Sequence, residues 1–173
     1  MNPLDLKARI RDIPDFPTKG ILFRDITPLL QDPAAFRYVV DTLAARHRGQ
    51  RIDSVVAIEA RGYIFGAPLA YALGVGFVPV RKVGKLPWKT HRVEYSLEYG
   101  SSVIEMHQDG VRAGQRALII DDLLATGGTL AATAKLVERS GARVAGISVI
   151  VELGFLPGRA QLQGYDVTSL VVY

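Results

Sequence analysis

A chain of 173 residues, 49% hydrophobic and 22% charged, has the size and composition of one globular domain with a sizeable core. The absence of cysteine excludes disulfides, thiol catalysis and cysteine-held metals and is compatible with the cytoplasm, while no apolar run or leader-like N-terminus points to a membrane. A net charge of +4 whose Lys and Arg form no tract favours a small polyanionic ligand over nucleic acid.

Residues 3–12 carry Leu4, Leu6 and Ile10, with Ile13 just beyond, at spacings that predict a short amphipathic helix. Pro14, Pro17 and Pro28 then oppose both helix and central strand, so 14–30 is expected to be an ordered loop. Residues 33–48 place Phe36, Val39, Val40 and Leu43 on one helical face. Ser54 to Ile58 reads as a short buried strand running into Glu59-Ala60-Arg61-Gly62. Tyr63 to Leu73 reads as a helix stopped by Gly74, and Gly76 to Val80 as a second strand. Residues 82–100 hold Lys82, Lys85, Lys89, His91, Arg92 and the single tryptophan, Trp88. A loop of that length in a compact domain is a functional lid or is disordered. Within it, 93–99 alternates and can pair as a hairpin with 101–107. A strand at 116–121, a helix at 129–140 capped by Gly141, and strands near 143–151 and 167–172 follow. Alternating strands and helices predict an α/β fold with a mostly parallel central sheet flanked by helices. His47, His91 and His107 are far apart, show no metal-ligand spacing and are expected at the surface or in loops.

The segment 117–130, ALIIDDLLATGGTL, carries the most chemistry. An apolar strand delivers Asp121 and Asp122 to its carboxyl end, where ligands bind in open α/β sheets. The turn through Thr126, Gly127, Gly128 and Thr129 then offers main-chain N–H groups and a helix N-terminus to an anion. Carboxylates beside a phosphate cradle suit a ribose phosphate. An isolated Ala-Thr-Gly-Gly-Thr would be an ordinary helix cap. Two carboxylates at the end of a buried strand weigh the other way, because burying charge is costly. Neither a Walker A loop nor a dinucleotide-binding glycine fingerprint occurs in the chain.

This segment resembles the phosphoribosyl-diphosphate (PRPP) motif of the type I phosphoribosyltransferases, in the form found in their adenine-using branch. PDFPTKGILFRDITPLL at 14–30, EARGYIFG at 59–66, RKVGKLP at 81–87, YSLEYG at 95–100 and VELGFLPGR at 151–159 are similar to the same branch, in the same order. The resemblance implies a single phosphoribosyltransferase domain over 1–173, with a small hood from about 14–30 and 152–164 and a lid at about 82–100. It implies transfer of the phosphoribosyl group from PRPP to adenine, giving AMP and pyrophosphate, in a cytoplasmic homodimer.

Carried onto this sequence, the resemblance implies that Asp121 and Asp122 hold the ribose hydroxyls and lie near a Mg²⁺ brought by the substrate, with no dedicated metal cage. Ala125, Thr126, Gly127, Gly128 and Thr129 would cradle the 5′-phosphate. Ala60 and Arg61 would bind pyrophosphate, Arg61 also serving catalysis, and Arg81, Lys82 and Lys85 would neutralise its charge. Glu98 would exchange a proton with the purine, its pKa raised under a closed lid, and Tyr99 would cover the ribose. Phe23 and Leu153 would face the two sides of adenine, and the main chain at Leu22 and Arg24 would read its edge. A 6-oxo purine would set acceptor against acceptor there, leaving a buried acceptor unpaired at a cost of about 1–3 kcal/mol.

Simpler roles compete at several positions. Glu59 and Arg61 could form a surface ion pair, the 81–85 basic residues a solvated loop, Glu98 an exposed hairpin residue, and Phe23 and Leu153 core anchors. At the level of the whole chain, alternatives are a PRPP- or nucleotide-sensing regulator with the same fold, a sibling enzyme using another purine, or a ribose-phosphate synthetase-like enzyme. The last needs two domains and a longer chain. The first normally carries an added DNA-binding segment.

Overall fold

The computed structural model describes residues 5–96 and 101–173. Seven strands form one sheet in the order β5-β6-β4-β3-β7-β8-β9. The parallel part comprises β3 (Ser54–Ile58), β4 (Gly76–Lys82), β7 (Arg116–Leu124), β8 (Arg143–Glu152) and β9 (Val167–Val172). β5 (Thr90–Ser96) and β6 (Ser101–His107) form an antiparallel hairpin that extends the sheet beyond β4. β3 is buried at all five positions, which is why its sequence is a continuous apolar run rather than an alternating one.

Helices cover both faces. Residues alternate along each strand between two cores. Val55, Ala57, Leu118 and Ile120 join α2 (Pro33–His47) and α3 (Arg61–Leu73) on one side. Val56, Ile58, Ala117 and Ile119 join α4 (Gly128–Arg139) on the other. α2 begins where Asp32 accepts hydrogen bonds from the N–H groups of Ala34 and Ala35, with Pro33 in the first turn. α3 stops at Gly74, whose φ of +69° closes the helix in the left-handed region.

From β3 the chain crosses to β4 on one side, whereas β7 leads to β8 and β9 on the other. The switch in direction falls between β3 and β7. That crevice, beyond the carboxyl ends of both strands, is where such sheets bind ligands.

The N-terminus departs from expectation. Among the described residues of the expected helix, only Lys7–Arg9 is helical, as a single 3-10 turn, and β1 (Arg11–Pro14) follows directly. It pairs antiparallel with β2 (Leu22–Asp25), and α1 (Thr27–Gln31) comes next. Leu6 and Ile10 are buried as their spacing required. Pro14 restrains Ile13 to extended backbone, and Ile13 pairs with Phe23 instead of continuing a helix. The expected 14–30 loop is therefore part ribbon and part helix, with Pro28 in the first turn of α1. Within the expected long loop at 82–100, Thr90–Ser96 is strand β5, paired with β6 as the alternation suggested, which leaves 83–89 between β4 and β5, while 97–100 lie outside the described residues. The histidine expectation also fails. His47 is 2% exposed inside α2, where Nδ1 meets Gln50 Oε1 at 3.2 Å and Nε2 meets Ser148 Oγ at 2.9 Å. His91 and His107 lie in β5 and β6.

Candidate active site

A cleft of about 220 Å³ opens at the switch point, lined by Glu59, Ala60 and Arg61 after β3, by Arg81 and Lys82 of β4, and by Asp121 and Asp122 of β7. Tyr95, Ile104 and Thr129 close its remaining side. β7 runs on to Leu124, so the aspartates lie within the strand's last turn of pleat rather than after it. The N–H of Asp122 donates to Asp121 Oδ1 at 2.9 Å. An ideal Cβ on Gly62 would stand 3.0 Å from Asp121 Oδ1 and 3.0 Å from the Ile120 carbonyl oxygen, so the first turn of α3 seats directly on the carboxylate pair.

Asp122 is 5% exposed and pairs with Arg61, Nε to Oδ2 at 2.9 Å. Burial raises the carboxyls of both aspartates above the ordinary value. The charge of Asp122 raises Asp121 further, while Arg61 works against the shift at Asp122. Arg61 also stands 5.5 Å from the centre of the Phe23 ring, which brings β2 to the mouth of the cleft. Phe23 is itself packed edge-on by Phe16 at 5.1 Å.

Glu59 does not pair with Arg61. Its carboxylate takes Arg81 Nε at 2.9 Å, the Lys82 N–H at 2.8 Å and Lys85 Nζ at 3.2 Å. Burial pushes this carboxyl up, but the three donors outweigh it and hold it below the ordinary value. One carboxylate thus ties down the Arg81 and Lys85 side chains and the Lys82 main chain, while Lys82 and Lys85 remain exposed to solvent.

The loop Ala125–Gly127 turns into α4, with Gly127 at φ +84° just before the helix. The Thr129 hydroxyl donates to Tyr95 Oη at 3.1 Å, tying the helix start to the β5–β6 hairpin. Leu153 follows β8, and its N–H bonds to the Leu124 carbonyl at 2.9 Å, so the β8 end lies beside the phosphate-cradle candidate. Leu153 is partly buried against the α2–α3 core. Leu22 is 46% exposed on β2. The Arg24 side chain is turned away to Asp12 and lies over the Tyr173 ring at 3.8 Å, so only its main chain is available to a base. Glu98 and Tyr99 lie outside the described residues. Trp88, to which the sequence assigned no role, is 62% exposed.

Two polar residues of this region escaped the sequence reading. Tyr95 shares a face of the alternating 93–99 stretch with buried Val93, a signal that was present. Glu105 is fully buried, and its Oε1 accepts the N–H groups of Gly84, Lys85 and Leu86 at 2.9, 3.0 and 3.1 Å. A charged residue within the apolar run Val103-Ile104-Glu105-Met106 marked it.

The phosphoribosyl transferase domain model matches residues 26–166. The adenine phosphoribosyltransferase of Desulfitobacterium hafniense strain Y51 is 57% identical over 173 residues, all of both chains. The crystal structure of the adenine phosphoribosyltransferase from Thermoanaerobacter pseudethanolicus superposes with a TM-score of 0.95 at 57% identity, covering 98% of each chain. The Saccharomyces cerevisiae adenine phosphoribosyltransferase, solved with an imino-altritol bisphosphate and adenine, gives 0.91 at 40% identity, covering 96% of each. The chain belongs to the phosphoribosyltransferase family and, within it, to the adenine phosphoribosyltransferases.

Proposed function

We propose that this protein transfers the 5-phosphoribosyl group of PRPP to adenine, giving AMP and pyrophosphate in purine salvage. The observation that carries the reading is the convergence of Asp121, Asp122 and Arg61 across the β3–β7 switch point, in a chain of that family.

The ribose hydroxyls of PRPP take the Asp121 and Asp122 carboxylates, and its 5′-phosphate takes the main chain and hydroxyls of Ala125 to Thr129. Pyrophosphate takes Ala60 and Arg61, with Arg81, Lys82 and Lys85 behind. As the bond at C1 of the ribose breaks, positive charge develops on the ring, and the nearby carboxylates favour it. Arg61 supplies a planar fork to the departing pyrophosphate. Glu98 takes or gives the proton at the purine and Tyr99 covers the ribose. The purine lies between Phe23 and Leu153, under a hood made from about 14–30 and 152–164. Among the described residues β2 pairs only with β1, which leaves its other edge of main-chain N–H and C=O groups for the base. A C=O there accepts from a 6-amino group and repels a 6-oxo group.

The carboxylate pair fits Mg²⁺: two crowded, partly desolvated carboxyls repel each other, and a hard divalent cation relieves that repulsion. Asp121 and Asp122 would hold such an ion together with the substrate's phosphates, and it would supply positive charge to the leaving pyrophosphate. The working assembly in this reading is a homodimer in the cytoplasm. The exposed apolar residues Ile64 and Tyr71 of α3 and the neighbouring Phe77 support a partner surface, and the absence of cysteine supports the compartment. No helix among the described residues is long and apolar enough to cross a membrane.

The test is turnover of radiolabelled adenine, hypoxanthine, guanine and xanthine with PRPP, with and without Mg²⁺. Mg²⁺-dependent AMP formation from adenine alone is expected. Turnover of another base would overturn the hood assignment, and PRPP binding without turnover would make the protein a sensor.

A further inference from the structure

The 3-10 helix Pro157–Leu162 does not line the cleft, yet it is locked against the loop that leads into α4. A Cβ on Gly127 would overlap the Gly158 carbonyl oxygen and stand 3.1 Å from Gln161 Cβ. The relation is mutual, since a Cβ on Gly158 would overlap the Ala125 carbonyl oxygen and stand 2.8 Å from Leu124 Cδ1. Two glycines far apart in sequence therefore let main chain meet main chain directly behind residues 125–127.

The helix is held in turn by an ion pair. Arg159 forks onto Glu152, Nε to Oε1 at 2.6 Å and Nη2 to Oε2 at 2.8 Å, and Nη1 donates to the Val167 carbonyl at 3.2 Å. The Ser169 hydroxyl donates to the same carboxylate. Glu152 is buried at the end of β8, so this charge-assisted fork fixes the residue next to Gly158 to the rigid sheet.

We propose that Gly158 and Arg159 are positioning residues for the 5′-phosphate. They set the course of Ala125–Gly127 from behind, so that the loop's N–H groups converge before the ligand arrives. Main-chain donors hold an anion tightly only when the loop need not be ordered on binding. Arginine is required because its fork fixes an orientation that a lysine ammonium would not. The proposal rests on the assignment of 125–129 to the 5′-phosphate.

Calorimetric titration of full-length wild type, G158A and R159A with ribose 5-phosphate, and separately with pyrophosphate and Mg²⁺, tests it. G158A is expected to weaken ribose 5-phosphate by at least about tenfold, the worth of one hydrogen bond to a charged group, with pyrophosphate changed by less than about twofold. R159A, which leaves the glycine contact in place, is expected to lose a few-fold in the same selective way. Folded G158A with wild-type affinity for ribose 5-phosphate overturns the proposal, as does equal weakening of both ligands, which would indicate general damage. If G158A does not fold, R159A decides, and its unchanged affinity overturns the proposal. Wild type that binds pyrophosphate but not ribose 5-phosphate removes the loop assignment itself, and this proposal with it.

Discussion

Truncating Glu105 to alanine is expected to cost about 3–5 kcal/mol of fold stability, the range for removing one partner from a buried charged network. The Oε1 atom accepts three consecutive N–H groups, from Gly84, Lys85 and Leu86, and Oε2 accepts the Thr90 hydroxyl at 3.1 Å and Arg92 Nε at 3.2 Å. Three N–H groups in a row on one oxygen form an anion nest, filled here by the protein's own carboxylate. Alanine orphans all three, at about 1–3 kcal/mol each if they stay dry. The Arg92 side chain is 60% exposed, so water reaches part of the site and the lower portion of the summed range applies. Glutamine keeps an oxygen for the nest but turns an amide donor toward Arg92, and E105Q is expected to cost about 1–2 kcal/mol. For a domain of this size these losses lower Tm by about 6–20 °C for E105A and about 2–8 °C for E105Q. Burial pushes the Glu105 carboxyl up, but the donors from Leu86, Thr90, Lys85 and Gly84 hold it below its ordinary value of 4.5. Its stabilisation is therefore complete above pH 4.5 and is lost as pH falls through the folded-state value, so the gap between wild type and E105Q closes in acid. Urea and thermal denaturation at pH 7 and pH 3 measure both effects. An E105A midpoint equal to wild type would mean that the nest is satisfied by water and would refute the argument.

Three further outcomes are expected. D121N should weaken PRPP binding in the presence of Mg²⁺, yet in its absence melt higher than wild type at pH 8. Burial and the Asp122 charge raise the Asp121 carboxyl, so the folded wild type loses stability as pH rises from the ordinary carboxylate range, and the difference should shrink toward pH 4. A wild type more stable than D121N at pH 8 would show that the repulsion is absent. Y95F should raise KM for PRPP by about twofold to tenfold, one neutral hydrogen bond, with KM for adenine unchanged, because Tyr95 receives the Thr129 hydroxyl. Steady-state kinetics with each substrate varied decides it. Burial lowers the pKa of His47 below 6.5, so the neutral ring's contribution is present above pH 6.5 and lost as pH falls toward the folded-state value. H47Q should flatten that part of the stability–pH curve, measured by melts from pH 5 to 8.

The sheet and its helices were legible because their signals are local. Ser54–Ile58 is a continuous apolar run, and Gly74 ends α3 at the position its left-handed backbone requires. The N-terminal ribbon was not, because Leu6 and Ile10 share helical spacing while the pairing of Ile13 with Phe23 depends on a distant segment. His47 was legible in principle: it lies four residues after Leu43 and seven after Val40, on the buried face of α2. The partners of the site's charges were not legible at all. Sequence puts Glu59 next to Arg61, yet Glu59 meets Arg81 and Lys85, and Arg61 meets Asp122 across the crevice. Strand order decides these pairings, and strand order is a property of the whole sheet.

The direction of each carboxyl's shift sorts the buried acids of this region by task. Glu59, Glu105 and Glu152 are all held below their ordinary value by donors of the protein itself: Lys82 and Arg81 at the end of β4, the 84–86 nest with Thr90, and Arg159 of the 3-10 helix with Ser169. Each is satisfied without a ligand, and each fixes a segment that borders the cleft. Asp121 and Asp122 are pushed the other way, because burial outweighs the donors that reach them, and Arg61 is the largest influence opposing the shift at Asp122. Such unsatisfied carboxyls persist where a ligand completes them. In the proposed reading, an incoming ribose diol would supply the missing donors and let Arg61 exchange Asp122 for pyrophosphate. Two of the bordering segments are held by contacts of the fold itself, 84–86 by Glu105 and 125–127 by the packing of Gly158. In the same proposed reading, carboxylates already held in place by the sheet would stabilise a developing cation without first having to be ordered, the condition under which a fixed array of charges is most effective.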